Sequence, residues 1–152
     1  MVQLQIILST IFRREKINIL AIVCSHPKHF DHRKAIRSTW GNDFNNLHMI
    51  DSNLHGQIIF QVGLEPRTHG IDKLIKDESD QFGDILIQDF IEHYNNLTIK
   101  TVMLLKYVNH LPVIPSFIFK VCMLFLFLSI QFIYVYKIWQ ILKHFARSFH
   151  QA

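Results

Sequence analysis

The chain has 152 residues, of which 49% are apolar, so we expect one domain with a hydrophobic core and exclude disorder by composition. Its net charge of +4 is unevenly placed, since all 12 acidic residues lie at or before Glu92 and the last 60 residues carry only basic charges. These basic residues are spread through an apolar tail, which argues against a nucleic-acid partner. The two cysteines, Cys24 and Cys122, form no CxxC pair, so the sequence carries no zinc or redox motif of that kind.

The chain divides into three segments. Residues 1–16 are a short apolar segment in which Arg13 and Arg14 follow the apolar run, the reverse of the order in a secretory signal peptide. Residues 17–121 alternate strand and helix patterns, and residues 122–152 form a hydrophobic, basic tail. The predicted elements, in chain order, are strand Ile17–Cys24, helix His32–Trp40, strand Gln57–Val62, helix Ile71–Phe82, strand Asp84–Gln88, helix Asn95–His110 and strand Ser116–Val121.

This alternation predicts an α/β fold with a parallel sheet, right-handed crossovers and flanking helices. Gly41 is predicted to end the first helix. On that helix Arg33 and Arg37 lie four residues apart and therefore share one face. The second helix is mostly polar, and Leu74 and Ile75 are predicted to face inward.

A polar stretch, Asp89–Tyr94, is predicted to form a turn at the carboxyl end of the third strand. Ligands of open α/β sheets bind at that edge, so Asp89 is a candidate binding residue. Lys100 lies about a turn and a half into the helix that follows.

Two further signals are weaker. His26, His29 and His32 are spaced by three and suggest a metal site, but Pro27 interrupts helical registration, so we predict a solvated loop. Asn96 begins the N-glycosylation sequon Asn-Leu-Thr, which has meaning only if the domain is lumenal. A structural role at the start of the third helix is the alternative for Asn96.

The tail is apolar on all sides, which predicts a C-terminal hydrophobic helix. Residues 121–136 carry no charge and lie between Lys120 and Lys137, so this stretch is shorter than the ~20 residues of a spanning helix. If both lysines snorkel to the interface, a transmembrane helix is feasible.

Two stretches carry a family signature: RKAIRSTWG at Arg33–Gly41 and E-x5-DIL-x2-DF-x3-Y-x-NLT-x-KT from Glu78 to Thr101. In this order and spacing they resemble the β-1,3-galactosyltransferase family, and SFIFKV at Ser116–Val121 continues the resemblance. It covers residues 17–121 and nothing after. The resemblance implies a partial GT-A domain, a Rossmann-like fold that binds a nucleotide sugar. It also implies a hexosyltransferase at the Golgi membrane, with a UDP-sugar donor and a glycan acceptor on a glycoprotein or glycolipid.

The resemblance implies four donor-binding residues. Arg33 and Arg37 suit a diphosphate or a nucleotide edge beside a helix N-terminus. Asp89 suits hydrogen bonds from uracil or ribose, and Lys100 suits a phosphate. For each residue a structural alternative stays open: a solvated helix face, a turn cap or a surface lysine.

The sequence departs from the family at the metal motif. In the family, the strand that matches SFIFKV leads into an acidic DxD-type motif whose carboxylates hold Mn²⁺. Here Val121 is followed by Cys122-Met123-Leu124, and no acidic residue follows Glu92. The ligands of the implied Mn²⁺ are therefore absent from this chain, no catalytic residue is assigned, and we expect the chain as written not to transfer sugar.

Two interpretations of the tail stay open. Val121-Cys122 is what the splice-donor sequence GTATGT encodes, so the tail is interpreted first as a translated intron that truncates a hexosyltransferase. The alternative is a non-catalytic, membrane-attached or interaction protein derived from that family.

Overall fold

The computed structural model describes residues 17–65, 70–111 and 114–122. Its elements are β1 (Ile19–Cys24), α1 (Phe30–Ser38), α2 (Trp40–Asn45), β2 (Gly56–Leu64), α3 (Ile71–Phe82), β3 (Ile85–Ile91), α4 (Leu97–Asn109) and β4 (Phe117–Cys122). Short 3-10 turns at Leu47–Met49 and Tyr94–Asn96 precede β2 and α4. The predicted α/β alternation is confirmed, and the bounds of α3 are those predicted.

The four strands form one parallel sheet in the order β3-β2-β1-β4. The chain steps from β1 to β2 and β3 in one direction and then returns to the other side of β1 for β4. The strand order therefore reverses between β1 and β4. In open α/β sheets, the carboxyl ends of the strands at such a switch point form the ligand-binding crevice.

Helices cover both faces of the sheet. Because side chains alternate along a strand, Leu20 and Ile22 of β1 face one side, and Ala21 and Val23 face the other. The first side packs against α4, and the second packs against α1 and α3. Burial on both faces explains why β1 is a continuous apolar run rather than an alternating one.

The first helix differs from its prediction at both ends. It begins at Phe30 and ends at Ser38, and Gly41 lies inside α2 rather than after a helix. A Cβ atom on Gly41 would lie 2.5 Å from the carbonyl oxygen of Ile36. Gly41 therefore allows α2 to pack closely on the end of α1, and the prediction that it ends the helix is wrong.

Strands β2, β3 and β4 each extend past their predicted ends. Asp89 consequently lies within β3 and not in a turn, because backbone pairing with β2 continues to Ile91. Gly63 lies at the register irregularity between these two strands, where a Cβ atom would come within 2.6 Å of the Phe90 ring. Sequence pattern alone places strand ends too early where a neighbouring strand supplies further backbone partners.

One inward-facing residue of α3 was also predicted incorrectly. Ile75 is buried as expected, but Leu74 is half exposed. Glu78 is buried instead, on the face that carries Ile75.

In the described part of the chain, no helix is both long enough and apolar enough to cross a membrane. The predicted C-terminal hydrophobic helix and the short segment of residues 1–16 lie outside the described residues. Val121 and Cys122, at the predicted boundary of the tail, continue β4.

Candidate functional site

Arg33 is completely buried, and its guanidinium is fully hydrogen-bonded within the chain. Nε and Nη2 donate to the Glu78 carboxylate, the shortest of these distances being 2.6 Å. Nη1 donates to the Ser25 hydroxyl at 2.9 Å and to the His26 carbonyl at 2.8 Å, and Nη2 also donates to the Pro27 carbonyl at 3.1 Å. All five N–H donors of Arg33 are thus engaged by protein groups. In this geometry Arg33 orders the chain after β1 and has no N–H left for a ligand.

Arg37 lies one turn further along α1 and shares the Glu78 carboxylate with Arg33. Its Nε and Nη2 each donate to the carboxylate of Asp84 at 2.7 Å, and its Nη1 donates to Glu78 at 2.7 Å. Its guanidinium also lies 4.0 Å from the centre of the Phe82 ring. Burial opposes the charged form, but the hydrogen bonds and charges of Asp84 and Glu78 outweigh it, so the pKa of Arg37 is raised. Asp84 directly precedes β3, so Arg37 lies by the amino end of that strand.

Glu78 is the carboxylate that joins the two arginines, and the sequence prediction did not single it out as a site residue. It is 9% exposed and accepts hydrogen bonds from both guanidinium groups. Its position on the inward-facing stripe of α3 with Ile71 and Ile75 was the available signal, since an acidic residue on such a stripe needs a cationic partner.

Lys100 is buried at the carboxyl edge of the sheet. Its ammonium donates to both carboxylate oxygens of Glu92, at 2.9 and 2.8 Å, and to the carbonyl of Ser25 at 2.9 Å. Glu92 also accepts from the backbone N–H of Gly63 at 3.0 Å. The pair therefore ties the carboxyl ends of β1, β2 and β3 to α4. The sequence prediction did not identify Glu92, although it lies eight residues before Lys100.

The segment Ser25–Pro27, which we call the β1 loop, is held from both faces of the sheet. Arg33 approaches it from the α1 face, and Lys100 approaches it from the α4 face. The carbonyl oxygens of Ser25, His26 and Pro27 all accept hydrogen bonds from one or other of these buried cations. The structure thus brings two of the four predicted site residues to one loop at the switch point.

A buried amide network fixes α4 against the sheet beneath this loop. Gln61 donates to the side chain of Gln88 at 2.6 Å and to the backbone carbonyl of Lys100 at 2.7 Å. Gln88 donates to the Met103 carbonyl at 3.0 Å, and the Cys24 thiol donates to Gln61 at 3.6 Å. Since both glutamines are buried, these bonds set the position of the helix turn that carries Lys100.

Asp89 lies near the carboxyl end of β3 with its side chain exposed. Within residues 17–65, 70–111 and 114–122, its carboxylate makes no hydrogen bond or ion pair. It is thus an unpaired acceptor at the edge where ligands of such sheets bind. Of the four predicted site residues, Asp89 is the one whose polar atoms are accessible and unengaged in the described part of the chain.

The three histidines after β1 lie along the start of α1. Their rings are 5.2 Å apart for His26 and His29, and 4.7 Å apart for His29 and His32. Burial, together with the charges of the two neighbouring histidines and Arg33, lowers the pKa of His29.

Asn96 uses its side-chain amide within the fold. Its Nδ2, the atom that glycosylation would modify, donates to the carbonyl of Ile91 at 2.8 Å. Asn96 immediately precedes α4, but its side chain makes no capping bond to that helix; the His93 side chain accepts from the Asn95 N–H at the start of the 3-10 turn. The contact supports the structural alternative for Asn96.

The residues present do not fit the Mn²⁺ centre that the family implies. Among the described residues, no three histidine, cysteine, aspartate or glutamate side chains are grouped so that they could hold a metal ion. The carboxylates Glu78 and Glu92 are each committed to buried cations.

Comparison with known proteins agrees with the family motifs. The family model described as Galactosyltransferase matches residues 31–137, more than half of the chain, and extends past the predicted end of the resemblance at Val121. The chain is 33% identical to human "Beta-1,3-galactosyltransferase 2" over 99 residues, 64% of this chain and 22% of that protein. It is 34% identical to mouse "Beta-1,3-galactosyltransferase 1" over 92 residues, 59% of this chain and 26% of that protein.

The chain therefore spans about a quarter of the length of these curated relatives. The resemblance predicted from the two motifs is confirmed, and this chain belongs to the galactosyltransferase family.

Proposed function

We propose that this chain is the donor-binding half of a hexosyltransferase of the β-1,3-galactosyltransferase type, which takes a hexose from a UDP-sugar and transfers it to a glycan acceptor. The observation that carries the proposal is the carboxyl edge of the sheet. There, a family-matched α/β fold presents the β1 loop at the strand-order switch point and, two strands away at the end of β3, an Asp89 carboxylate that has no partner among the described residues.

The geometry supports separate roles for the predicted residues. Asp89 can accept hydrogen bonds from the hydroxyl or N–H groups of a nucleoside, because its oxygens are exposed and have no partner in the described part of the chain. The β1 loop lies at the same carboxyl edge, with β2 between its strand and β3, and its carbonyls are held by Arg33 and Lys100. Arg37, at the amino end of β3, stabilises the fold through Glu78 and Asp84 rather than touching the donor.

We propose that this chain binds the UDP-sugar donor but does not transfer the hexose. No group of side chains in the described ranges could hold Mn²⁺, so we assign no step of the reaction to a metal. Residence at the Golgi membrane and a glycoprotein or glycolipid acceptor remain predictions from the family.

UDP binding tests the proposal. Isothermal titration of the full chain should show saturable binding, and Asp89→Ala should weaken it roughly 10-fold, the equivalent of one charge-assisted hydrogen bond. Asp43→Ala is the matched control, because Asp43 is an exposed aspartate on α2, near the amino ends of the strands. Absence of saturable binding by the folded chain, or equal binding by the Asp89→Ala variant, would contradict the proposal.

Transfer is measured separately. With UDP-galactose, Mn²⁺ and a galactosyl acceptor, product formation should not exceed that of a reaction without protein. Turnover above that background would show that the missing carboxylates are not needed.

A further inference from the structure

Lys100 is surrounded by acceptors of two kinds. Two of its contacts are to Glu92, its charge partner, and one is to the Ser25 carbonyl, which lies 75 residues away along the chain. An ammonium group has three N–H donors, and these three acceptors match them in number. Glu92 accepts two of the three N–H donors of the Lys100 ammonium, and the Ser25 carbonyl accepts the third.

Charge pairing alone does not account for this arrangement. Lys100 is 3% exposed, and its charge is balanced by a carboxylate that is itself nearly buried. A surface pair would neutralise the same charges without the loss of hydration. The buried placement instead aims a charged donor at the backbone of the β1 loop, where the strand order reverses.

The contact fixes more than one atom of the loop. The described chain contains no cis peptide bond, so the N–H of His26 points in the direction opposite to the Ser25 carbonyl. When Lys100 holds that carbonyl inward, the His26 N–H is turned away from Lys100. On the other face, Arg33 holds the carbonyls of His26 and Pro27 in the same way.

We propose that Lys100, held in place by Glu92, is a positioning residue for donor binding: its ammonium orients the Ser25 carbonyl and so fixes the β1 loop in the conformation that receives a nucleoside diphosphate. Lys100 acts through the loop and does not touch the phosphate. The proposal rests on the proposed function of donor binding and assigns to Glu92 a role that the sequence motifs did not suggest.

The test separates loop ordering from general stability. In the double variant Lys100→Met with Glu92→Gln, the buried pair is replaced by neutral side chains, and the glutamine oxygen can still accept from the Gly63 N–H. Such replacement of a buried pair is often neutral for stability, so the urea midpoint should stay close to that of the wild type. Lys106→Met is the matched control, because Lys106 is an exposed lysine on the same helix.

Amide hydrogen exchange measures the loop directly. The N–H groups of Ser25 and Lys28 are hydrogen-bonded to Gln61 and His26, so both should be protected in the wild type. In the double variant their exchange should be roughly 10-fold faster or more, as expected for the loss of a charge-assisted hydrogen bond, while Phe60 in β2 keeps its protection. UDP affinity should fall by a similar factor. If the Lys100–Glu92 pair served stability alone, a double variant with the wild-type urea midpoint would show wild-type exchange at Ser25 and Lys28.

The outcomes distinguish the two proposals. If the wild type does not bind UDP, the proposed function fails, and with it the role of Lys100 in donor binding. If the wild type binds UDP but the double variant keeps wild-type loop exchange and affinity, the positioning role alone is overturned.

A measurement on the wild type does not depend on any variant folding. With uniform ¹⁵N labelling, the Lys100 ammonium resonance should stay in place as UDP saturates the chain, while the Ser25 and Lys28 amides become more protected. A large shift of that ammonium resonance would show direct phosphate contact and overturn the proposal.

Discussion

Glu78 should be the side chain whose loss is most damaging to the fold. It is the carboxylate partner of Arg33, which is completely buried, and it also accepts a 2.7 Å hydrogen bond from Arg37. Glu78→Ala removes the negative charge and leaves the Arg33 guanidinium in an apolar environment with only the neutral acceptors of the β1 loop.

The expected magnitude follows from this geometry. Breaking a buried ion pair by removing one partner costs about 3–5 kcal/mol. Arg33 keeps its bonds to Ser25, His26 and Pro27, and Arg37 keeps Asp84, so we place Glu78→Ala near the lower end of that range. Glu78→Gln retains one acceptor oxygen and should cost roughly 1.5–3 kcal/mol. Against the 5–15 kcal/mol typical of whole domains, either loss is large.

Urea unfolding followed by circular dichroism measures this loss. Asp80→Asn provides the control, since Asp80 is an exposed acid on the same helix, and it should change the free energy of unfolding by less than about 0.5 kcal/mol. If Glu78→Ala unfolds at the same urea concentration as Asp80→Asn, the buried ion pair does not support the fold and the reasoning is refuted.

Four further predictions, at Tyr107, His29 and Gly63, concern the core and the pH dependence. The Tyr107 hydroxyl is buried without a hydrogen-bond partner among the described residues, so Tyr107→Phe should raise the free energy of unfolding by about 1 kcal/mol in urea titrations; a loss would contradict this. Burial also raises the pKa of Tyr107 to about 12, so wild-type stability should fall as the pH rises above about 10, the ordinary pKa of tyrosine, and this fall should be smaller in the Phe variant. Burial and its basic neighbours lower the pKa of His29, so below about pH 6.5 the unfolded chain binds more protons than the folded chain. The melting temperature should therefore drop on acidification from pH 7 to 5.5, and less steeply in His29→Gln; equal slopes would refute the assignment. Gly63→Ala should destabilise the chain by about 1–3 kcal/mol, because the new Cβ atom would lie 2.6–2.9 Å from the ring and carbonyl of Phe90; thermal melting at the wild-type temperature would contradict this.

The fold was largely predictable because its signals are local. Continuous apolar runs identified the strands, and the polar-apolar alternation of α3 gave that helix its correct bounds, Ile71–Phe82. The errors arose where tertiary packing, and not local sequence, determines where a helix or strand ends. Gly41 fits a close approach of α2 to α1 and not a helix end, and β3 continues to Ile91 because β2 pairs with it.

The sequence singled out two of the buried cations at the carboxyl edge but neither of their carboxylate partners, Glu78 and Glu92. The motifs pointed to Arg33 and Lys100, and both lie at the loop after β1. Their partners could not be paired with them from sequence, since Glu78 is 45 residues from Arg33 and the Ser25 carbonyl is 75 residues from Lys100. The position of a basic residue along a helix is the same whether its side chain is buried against protein acceptors or binds a ligand. Only the fold shows which acceptors surround it.

The central claim is that the carboxyl edge of this sheet binds the nucleotide of a sugar donor. The most direct measurement is a UDP titration of the ¹⁵N-labelled chain, with UDP raised to about 1 mM, the upper end of typical enzyme substrate constants. We predict saturable shifts in the amides of the β1 loop and around Asp89, with little change in α2, whose Asn45 bonds to the backbone near the amino end of β2. Shifts that cluster in α2, or no saturable shifts in a folded chain, would contradict the claim.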